Sequence, residues 1–374
     1  MDTATLFRTQ VPGTTVTLCP DWFVLTDGVE ERLPPMVGGR HVADAARVKV
    51  FIDHETPCGS EPVADRQREL IRFAQRENCQ VFNGYGVSYQ IMLDQFVKAG
   101  DLVVQCGEFG GVYGCAGAVV VSLTPSEMAQ ALCTGEISVA VPKLYALKVT
   151  GQLKKPADGK DAVLTVLPEL GCLSGYSLMV DDSAAVWDRS EKTAFYQMLS
   201  ASGCTTVLSG VCEEYQQELV LDTVVPMVSG PNNTKKAAAA AQCGDTAVTA
   251  VFIGGCSSGR VEDIRVAAAI AKGKRVQRKV RTMVAFATTQ DYVTAANEGL
   301  IATLLDAGVL VMNQGCSACY AHSQGVVDGK DIVLSAGSRA CPNCNGEGDA
   351  ATYLCSAATA MASAIAGYIC PAEV

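Results

Sequence analysis

The feature that most constrains this chain is an apolar run followed by small residues and a charged segment, at residues 251–263. It reads Val-Phe-Ile-Gly-Gly-Cys-Ser-Ser-Gly-Arg-Val-Glu-Asp. The apolar run predicts a buried strand, the glycines a tight turn, and the segment from Arg260 a helix. Cys256 falls in the turn, where the free N–H groups of a helix N-terminus favour a thiolate.

A second cysteine motif follows at residues 314–319, Gln-Gly-Cys-Ser-Ala-Cys, after an apolar run at 309–312. Cys256, Cys316 and Cys319 therefore offer three thiolates at two strand ends. Three thiolates are one short of a closed zinc or iron–sulfur site. A four-iron cluster held by three cysteines leaves one iron free to bind water or a substrate oxygen as a Lewis acid. The spacing alone is equally compatible with half of a structural zinc site or with plain buried thiols.

Residues 256–265 (Cys-Ser-Ser-Gly-Arg-Val-Glu-Asp-Ile-Arg), 273–276 (Gly-Lys-Arg-Val) and 315–319 resemble the third-domain motifs of the large subunits of 3-isopropylmalate dehydratase, in the aconitase superfamily. The resemblance runs from about residue 51 to 368, with the motifs in the family's order. It implies an α/β fold of three aconitase-like α/β/α domains around a central cleft, with no swivel domain. It also implies a [4Fe-4S] cluster held by Cys256, Cys316 and Cys319, with one open iron.

The resemblance and the composition together predict the domain boundaries. The first domain is expected at residues 1–141, the second at 142–228 and the third, cluster-binding domain at 245–374. Residues 229–244 are predicted to be a linker, because they contain Pro-Asn-Asn and a run of alanines. The small-residue stretch at 350–367 predicts a terminal helix.

Composition limits the class of protein. With 374 residues, 49% of them hydrophobic and 18% charged, the chain suits a compact α/β protein. Its net charge of -10 argues against a nucleic-acid partner. The 17 cysteines are odd in number and scattered along the chain, and the first residues show no signal-peptide pattern. Both observations argue against a disulfide scaffold. No apolar run is long enough to cross a membrane, and a cytoplasmic protein with reduced thiols is the expectation.

An acid and an imidazole follow the predicted strand at residues 48–52 as Asp53-His54. Strand ends of open α/β sheets are where sites form, and a carboxylate can orient an imidazole base. A turn aspartate beside a surface histidine is the ordinary alternative. In the family that this chain resembles, an Asp-His pair followed by a proline-containing loop belongs to the active site, and Pro57 lies in the corresponding loop here.

Several positions depart from the family pattern. Tyr89 stands where the family has His, and residues 107–109, Gly-Glu-Phe, stand where it has Asp-Ser-His. Glu108 is therefore a candidate to replace the missing acid. Ser258 occupies a position that is Asn in much of the family, and Ser200 aligns with the family's catalytic-site Glu.

Arg339, preceded by Ser338, matches a family arginine that binds the substrate carboxylate, and a bidentate guanidinium is suited to that task. The family's second arginine has no equivalent here. Its region holds a second Cys-x-x-Cys, Cys341 and Cys344, which could be a metal site, a redox pair or ordinary thiols. His322 is a possible but disfavoured fourth cluster ligand, because the family leaves one iron open.

The leading functional prediction is a [4Fe-4S]-dependent hydro-lyase, a dehydratase or isomerase, acting on a small hydroxy-carboxylic acid. The predicted catalytic residues are Asp53, His54, Glu108 and Arg339. The predicted substrate-binding residues are Arg339, Ser338, Ser258 and Tyr89. A small swivel-domain subunit is a possible partner, and no nucleic acid or membrane is expected. Two alternatives stay open: a cluster-dependent lyase that removes sulfur, and a non-catalytic cluster-binding subunit.

Overall fold

The computed structural model describes residues 2–28, 33–346 and 348–373. They form three α/β units, each built on a parallel sheet, and one small two-stranded sheet. The small sheet pairs β1 (Thr15–Leu18) antiparallel with β7 (Ile137–Ala140). Helix α1 (Thr3–Thr9) precedes it and is capped by the Asp2 carboxylate, which accepts from Thr5 N.

The first unit has a five-stranded, wholly parallel sheet in the order β4-β3-β2-β5-β6. Its strands are β2 (Trp22–Thr26), β3 (Val48–Ile52), β4 (Gln80–Asn83), β5 (Leu102–Gln105) and β6 (Val119–Ser122). Its helices are α2 (Leu33–Val37), α3 (Glu61–Arg76), α4 (Ser88–Gln95) and α5 (Pro125–Thr134). The strand order reverses between β2 and β5, and such a switch point opens a crevice at the carboxyl ends of the strands.

The second unit has four parallel strands in the order β10-β9-β8-β11. The strands are β8 (Lys143–Gln152), β9 (Tyr176–Val186), β10 (Thr206–Ser209) and β11 (Gln217–Val220), with helices α6 (Gly159–Leu170) and α7 (Arg189–Leu199). Asp158 caps α6 with a capping box, which fixes where that helix begins. The first turn of α6 is buried against the third unit.

The third unit has a seven-stranded sheet in the order β13-β12-β18-β17-β14-β15-β16. The strands are β12 (Met227–Ser229), β13 (Ala237–Ala239), β14 (Ala250–Ile253), β15 (Arg281–Val284), β16 (Leu310–Val311), β17 (Ile332–Ser335) and β18 (Ala351–Leu354). The helices are α8 (Val261–Ala271), α9 (Thr289–Asn297), α10 (Leu300–Asp306) and α11 (Ala357–Ala366). The five strands from β18 to β16 are parallel and reverse their order between β14 and β17. This second switch point carries the predicted cysteine turn.

Each sheet is covered by apolar side chains that form the unit's own core. Strand β14 is buried along its whole length, as the apolar run predicted. The predicted α/β class with three α/β units is confirmed. No fourth unit occurs within the three described ranges, and no helix in them is long and apolar enough to span a bilayer.

One local expectation was wrong, and the predicted linker contains a short strand. Residues 350–367 do not form one helix, because β18 enters the sheet beside β17 before α11 begins. Alanines 237–239, expected in a linker, pair with β12 as a short hairpin on the edge of the third sheet. The domain boundaries themselves stay a prediction.

Candidate functional site

The three predicted cluster cysteines converge on one pocket. Cys256 follows β14, Cys316 follows β16, and Cys319 ends a 3₁₀ turn three residues later. All three side chains line the same cavity, where the first and third units meet. They lie close enough to act on one another electrostatically. The chain thus brings together thiols that are far apart in sequence.

Glycines make room for this convergence. Gly255 has a φ of 72°, a left-handed backbone conformation that favours glycine. A Cβ at Gly337 would come within 3.0 Å of Cys319 Sγ. Three thiols, glycine on two sides of one of them, and a shared cavity form a donor set that fits a three-cysteine iron–sulfur cluster.

Two of the three thiols, those of Cys256 and Cys316, have raised pKa values. Burial raises the pKa of Cys256 to about 12, and the neighbouring Cys319 adds to that effect. Burial also raises the pKa of Cys316 well above its usual value, as does the carboxylate of Asp53. Metal ligation requires thiolates, so a cation here would have to displace these protons.

The predicted Asp53-His54 pair lies at the end of β3, directly beside Cys316. His54 Nδ1 is 2.7 Å from Asp53 Oδ1, and the peptide N–H of Cys316 donates to the carbonyl of Asp53 at 2.9 Å. Ligand atoms of Asp53, His54 and Cys316 lie within 4.8 Å of one another. His54 lines the pocket with its ring edge-on to Tyr320, at 5.0 Å between centroids.

Asp27, at the end of β2, organises this pair from below. Its carboxylate accepts from the backbone N–H groups of Asp53, His54 and Glu55 at 3.0, 2.9 and 3.2 Å, and from the amide of Gln67 at 2.9 Å. Burial alone would raise its pKa, but the His54 imidazole and these hydrogen bonds lower it to about 2.

The pKa of the His54 imidazole is shifted upwards, in contrast with that of Asp27. Burial alone would lower the pKa of His54, but the carboxylates of Asp53 and Asp27 outweigh that effect and raise the pKa well above 6.5. The two carboxylates therefore favour the protonated form of the ring. A Cβ on Gly28 would come within 2.8 Å of the imidazole ring, so the close approach requires glycine there.

Arg339 brings the cationic group to the opposite side of the pocket. It follows β17, lines the cavity, and stacks on the ring of Phe109 with its Cζ 5.3 Å from the centroid. Its Nη2 is 3.5 Å from a carboxylate oxygen of Glu108. Glu108 is 79% exposed and lines a neighbouring cavity instead of this one, so this predicted catalytic carboxylate lies outside the pocket.

Most predicted site residues meet at this cavity. Its lining includes His54, Tyr89, Cys256, Cys316, Cys319, Ser338 and Arg339. Asp53 lies just beneath the lining, where it holds His54. Ser258 is buried with its hydroxyl donating to the carbonyl of Ser257, and it is not among the residues that line the cavity.

The sequence reasoning missed several residues around the site. Ser88 and Gln105 line the cavity. The amide of Gln90, which is fully buried, donates to the carbonyl of Cys256 at 2.5 Å. Gln90 follows Tyr89 at the start of α4, and that position beside a predicted site residue was the available signal. Lys160 gave no comparable signal, because it reaches the site from the second unit.

The second Cys-x-x-Cys forms a disulfide between Cys341 and Cys344. Cys341 is exposed and Cys344 is buried. The next residue, Asn345, donates from its buried amide to the carbonyl of Ala318 at 2.6 Å, inside the Cys316–Cys319 segment.

Fold and pocket define a class: an α/β protein in which two parallel-sheet switch points face a shared, cysteine-lined cleft. A model of the aconitase family (aconitate hydratase) matches residues 232–367. The chain is 30% identical over 362 residues to the 3-isopropylmalate dehydratase large subunit 2 of Archaeoglobus fulgidus, covering 88% of this chain and 87% of that protein. It is likewise 30% identical over 353 residues to the homoaconitase large subunit of Thermus thermophilus, covering 87% and 84%.

The solved structure of Thermococcus kodakaraensis aconitase X (holo-form) has a similar fold, with a TM-score of 0.59. It is 11% identical and covers 89% of this chain and 88% of its own, so this likeness concerns the fold alone. The chain belongs to the aconitase family, as the sequence predicted. That membership also confirms the prediction of an enzyme of the lyase class.

Proposed function

We propose that this chain is a hydro-lyase that acts on a small hydroxy-carboxylic acid at a [4Fe-4S] cluster. Cys256, Cys316 and Cys319 would hold the cluster, leaving one iron open. When bound, such a cluster supplies a Lewis acid for a hydroxyl group that must leave. The observation that carries the proposal is the convergence of three thiols, one buried and two half-buried, on a pocket that also contains an imidazole and a guanidinium.

The imidazole is suited to proton transfer. His54 Nδ1 is held by Asp53, so Nε2 is the ring nitrogen that a substrate can meet. The raised pKa favours the protonated ring, and a protonated ring can give a proton to a leaving hydroxyl. We assign His54 the role of general acid, with Asp53 and Asp27 holding its charge and orientation.

The guanidinium sets the charge of the substrate. Arg339 would bind one carboxylate in bidentate fashion. The apolar and aromatic lining, which includes Val24, Phe109 and Tyr320, favours an uncharged remainder. This combination suits a substrate with a single strongly bound carboxylate, less highly charged than isopropylmalate. Glu108 positions Arg339 at the pocket mouth through their ion pair.

A partner is also proposed. The named relatives are large subunits, so we propose that a small swivel-domain subunit completes the site by covering the mouth of the pocket. A small subunit bound beside the exposed Glu108 side chain would lie next to Arg339 and the substrate carboxylate.

The test is anaerobic reconstitution with iron and sulfide, followed by metal analysis and EPR with and without candidate hydroxy acids. We expect about four irons per chain, a spectrum that changes with a hydroxy acid, and loss of the cluster in Cys256→Ala. Cys172→Ala, at an exposed cysteine, is the matched control and should load normally. A protein that binds only zinc, or nothing, would refute the proposal. Sulfide release from a thio-acid would instead favour the sulfur-removing lyase.

A further inference from the structure

A buried lysine from the second unit reaches the cysteine turn of the third. Lys160, in the first turn of α6, is 0% exposed. Its Nζ lies 2.9 Å from Ser257 Oγ and 2.9 Å from the carbonyl oxygen of Gly337, and it also donates to the carbonyl of Ala336. A buried ammonium is costly unless all its donors are satisfied. Here all three donors are satisfied by the third unit.

The three acceptors come from two different loops. Ser257 directly follows Cys256 in the loop after β14. Gly337 lies in the loop after β17 and directly precedes Ser338 and Arg339. The two loops stand on either side of the β14/β17 switch point. One ammonium therefore connects the loop of a cysteine to the loop of the carboxylate-binding arginine.

The contacts continue to the sulfur. Ser338 Oγ lies 2.8 Å from Ser257 Oγ and 2.9 Å from Cys256 Sγ. An ammonium can only donate and a thiolate can only accept. When Cys256 is a thiolate, the Ser338 hydroxyl must donate to the sulfur. Ser257, which accepts from the ammonium, can then donate to Ser338. Hydrogen bonds of this kind, one shell beyond a metal, orient the ligand and tune the metal.

Two acidic residues at helix starts also act on the lysine. Asp158, the cap of α6, and Asp263, in the first turn of α8, both act electrostatically on the ammonium. The charge is thus held between two helix starts, one in each unit. A neutral side chain of equal length would leave the loop carbonyls without donors.

We propose that Lys160 is a positioning residue that locks the Cys256 loop to the Arg339 loop, so that cluster retention and carboxylate binding both depend on it. The proposal rests on the proposed function, because it takes Cys256 as a cluster ligand. It predicts that removal of the ammonium loosens the cluster without removing any ligand. Partners one shell beyond a metal typically contribute about 10–100-fold to its affinity.

The experiment compares wild type, Lys160→Met and Ser257→Ala after anaerobic reconstitution. We expect a chelator to remove iron about tenfold faster from Lys160→Met. We also expect its cluster to have a more negative reduction potential, because a nearby positive charge is lost. Ser257→Ala keeps the charge, so its iron should leave faster with little change in potential. A general loss of packing would not separate these two readouts.

Lys49→Met is the matched control. Lys49 is 6% exposed, and its Nζ donates to the carbonyl of Ala46 in the first unit, away from the thiols. It should lose iron at the wild-type rate. A wild-type protein that loads no cluster would overturn both proposals. A loaded wild type with unchanged iron loss and potential in Lys160→Met would overturn this one alone. If Lys160→Met does not fold, unchanged iron loss in Ser257→Ala overturns it.

Discussion

Asp27 is the residue whose replacement tests the electrostatics of the site most directly. Its carboxylate accepts three backbone N–H groups and one side-chain amide, and it faces the His54 imidazole. The lowering of its pKa from 3.8 to about 2 corresponds to about 2 kcal/mol of folding free energy. Asp27→Asn keeps the shape of the side chain and removes its charge, so it should cost about that amount at neutral pH.

The sign of the pH dependence follows from the direction of the pKa change. A carboxyl group whose pKa is lowered in the folded state stabilises the protein at pH values above its pKa in the unfolded chain, which is near 4. This stabilisation is lost as the pH falls towards 2. Wild type and Asp27→Asn should therefore differ most at pH 6. The difference should shrink steadily at pH 4 and pH 3.

Urea unfolding of the reduced apo-protein, followed by circular dichroism at each pH, measures this difference. Asp245→Asn, at an exposed aspartate, is the matched control and should follow wild type at every pH. An Asp27→Asn protein as stable as wild type at pH 6 would refute the reasoning. A deficit that stays constant down to pH 3 would show that the ionised carboxylate is not its origin.

Three further predictions concern the pocket and its frame. Arg339→Gln should raise KM for the carboxylate substrate about tenfold or more in steady-state assays, because a charge-assisted pair is lost. The control, Arg265→Gln at an exposed ion pair, should leave KM unchanged. Glu108→Gln should change KM a few-fold and keep kcat within about twofold; a loss of about 100-fold in kcat would instead identify Glu108 as an acid–base catalyst. Gly86→Ala should lower the melting temperature, because its Cβ would come within 2.3 Å of the Ala287 carbonyl oxygen at a φ of 126°; a wild-type melting temperature would contradict that packing.

Motifs that act locally were readable from the chain. The run before Cys256 predicted a buried strand and a turn, and both occur where expected, because an apolar run and paired glycines restrict the backbone locally. Asp53 and His54 were placed at a strand end for the same reason. The short strand at residues 351–354 was not predicted, because small residues alone do not distinguish a strand from a helix and the neighbouring strand decides the outcome.

The sequence by itself determined the α/β class, the family and the cysteines that could act together. Only the tertiary structure decided that the Cys256 turn, the Cys316–Cys319 segment and the Arg339 loop share one cavity with His54. It also decided that Lys160, from another unit, connects two of these loops. The physical reason is the distance along the chain over which each effect acts. Backbone preferences act over a few residues, whereas the hydrogen-bond acceptors of a buried charge depend on which segments pack around it.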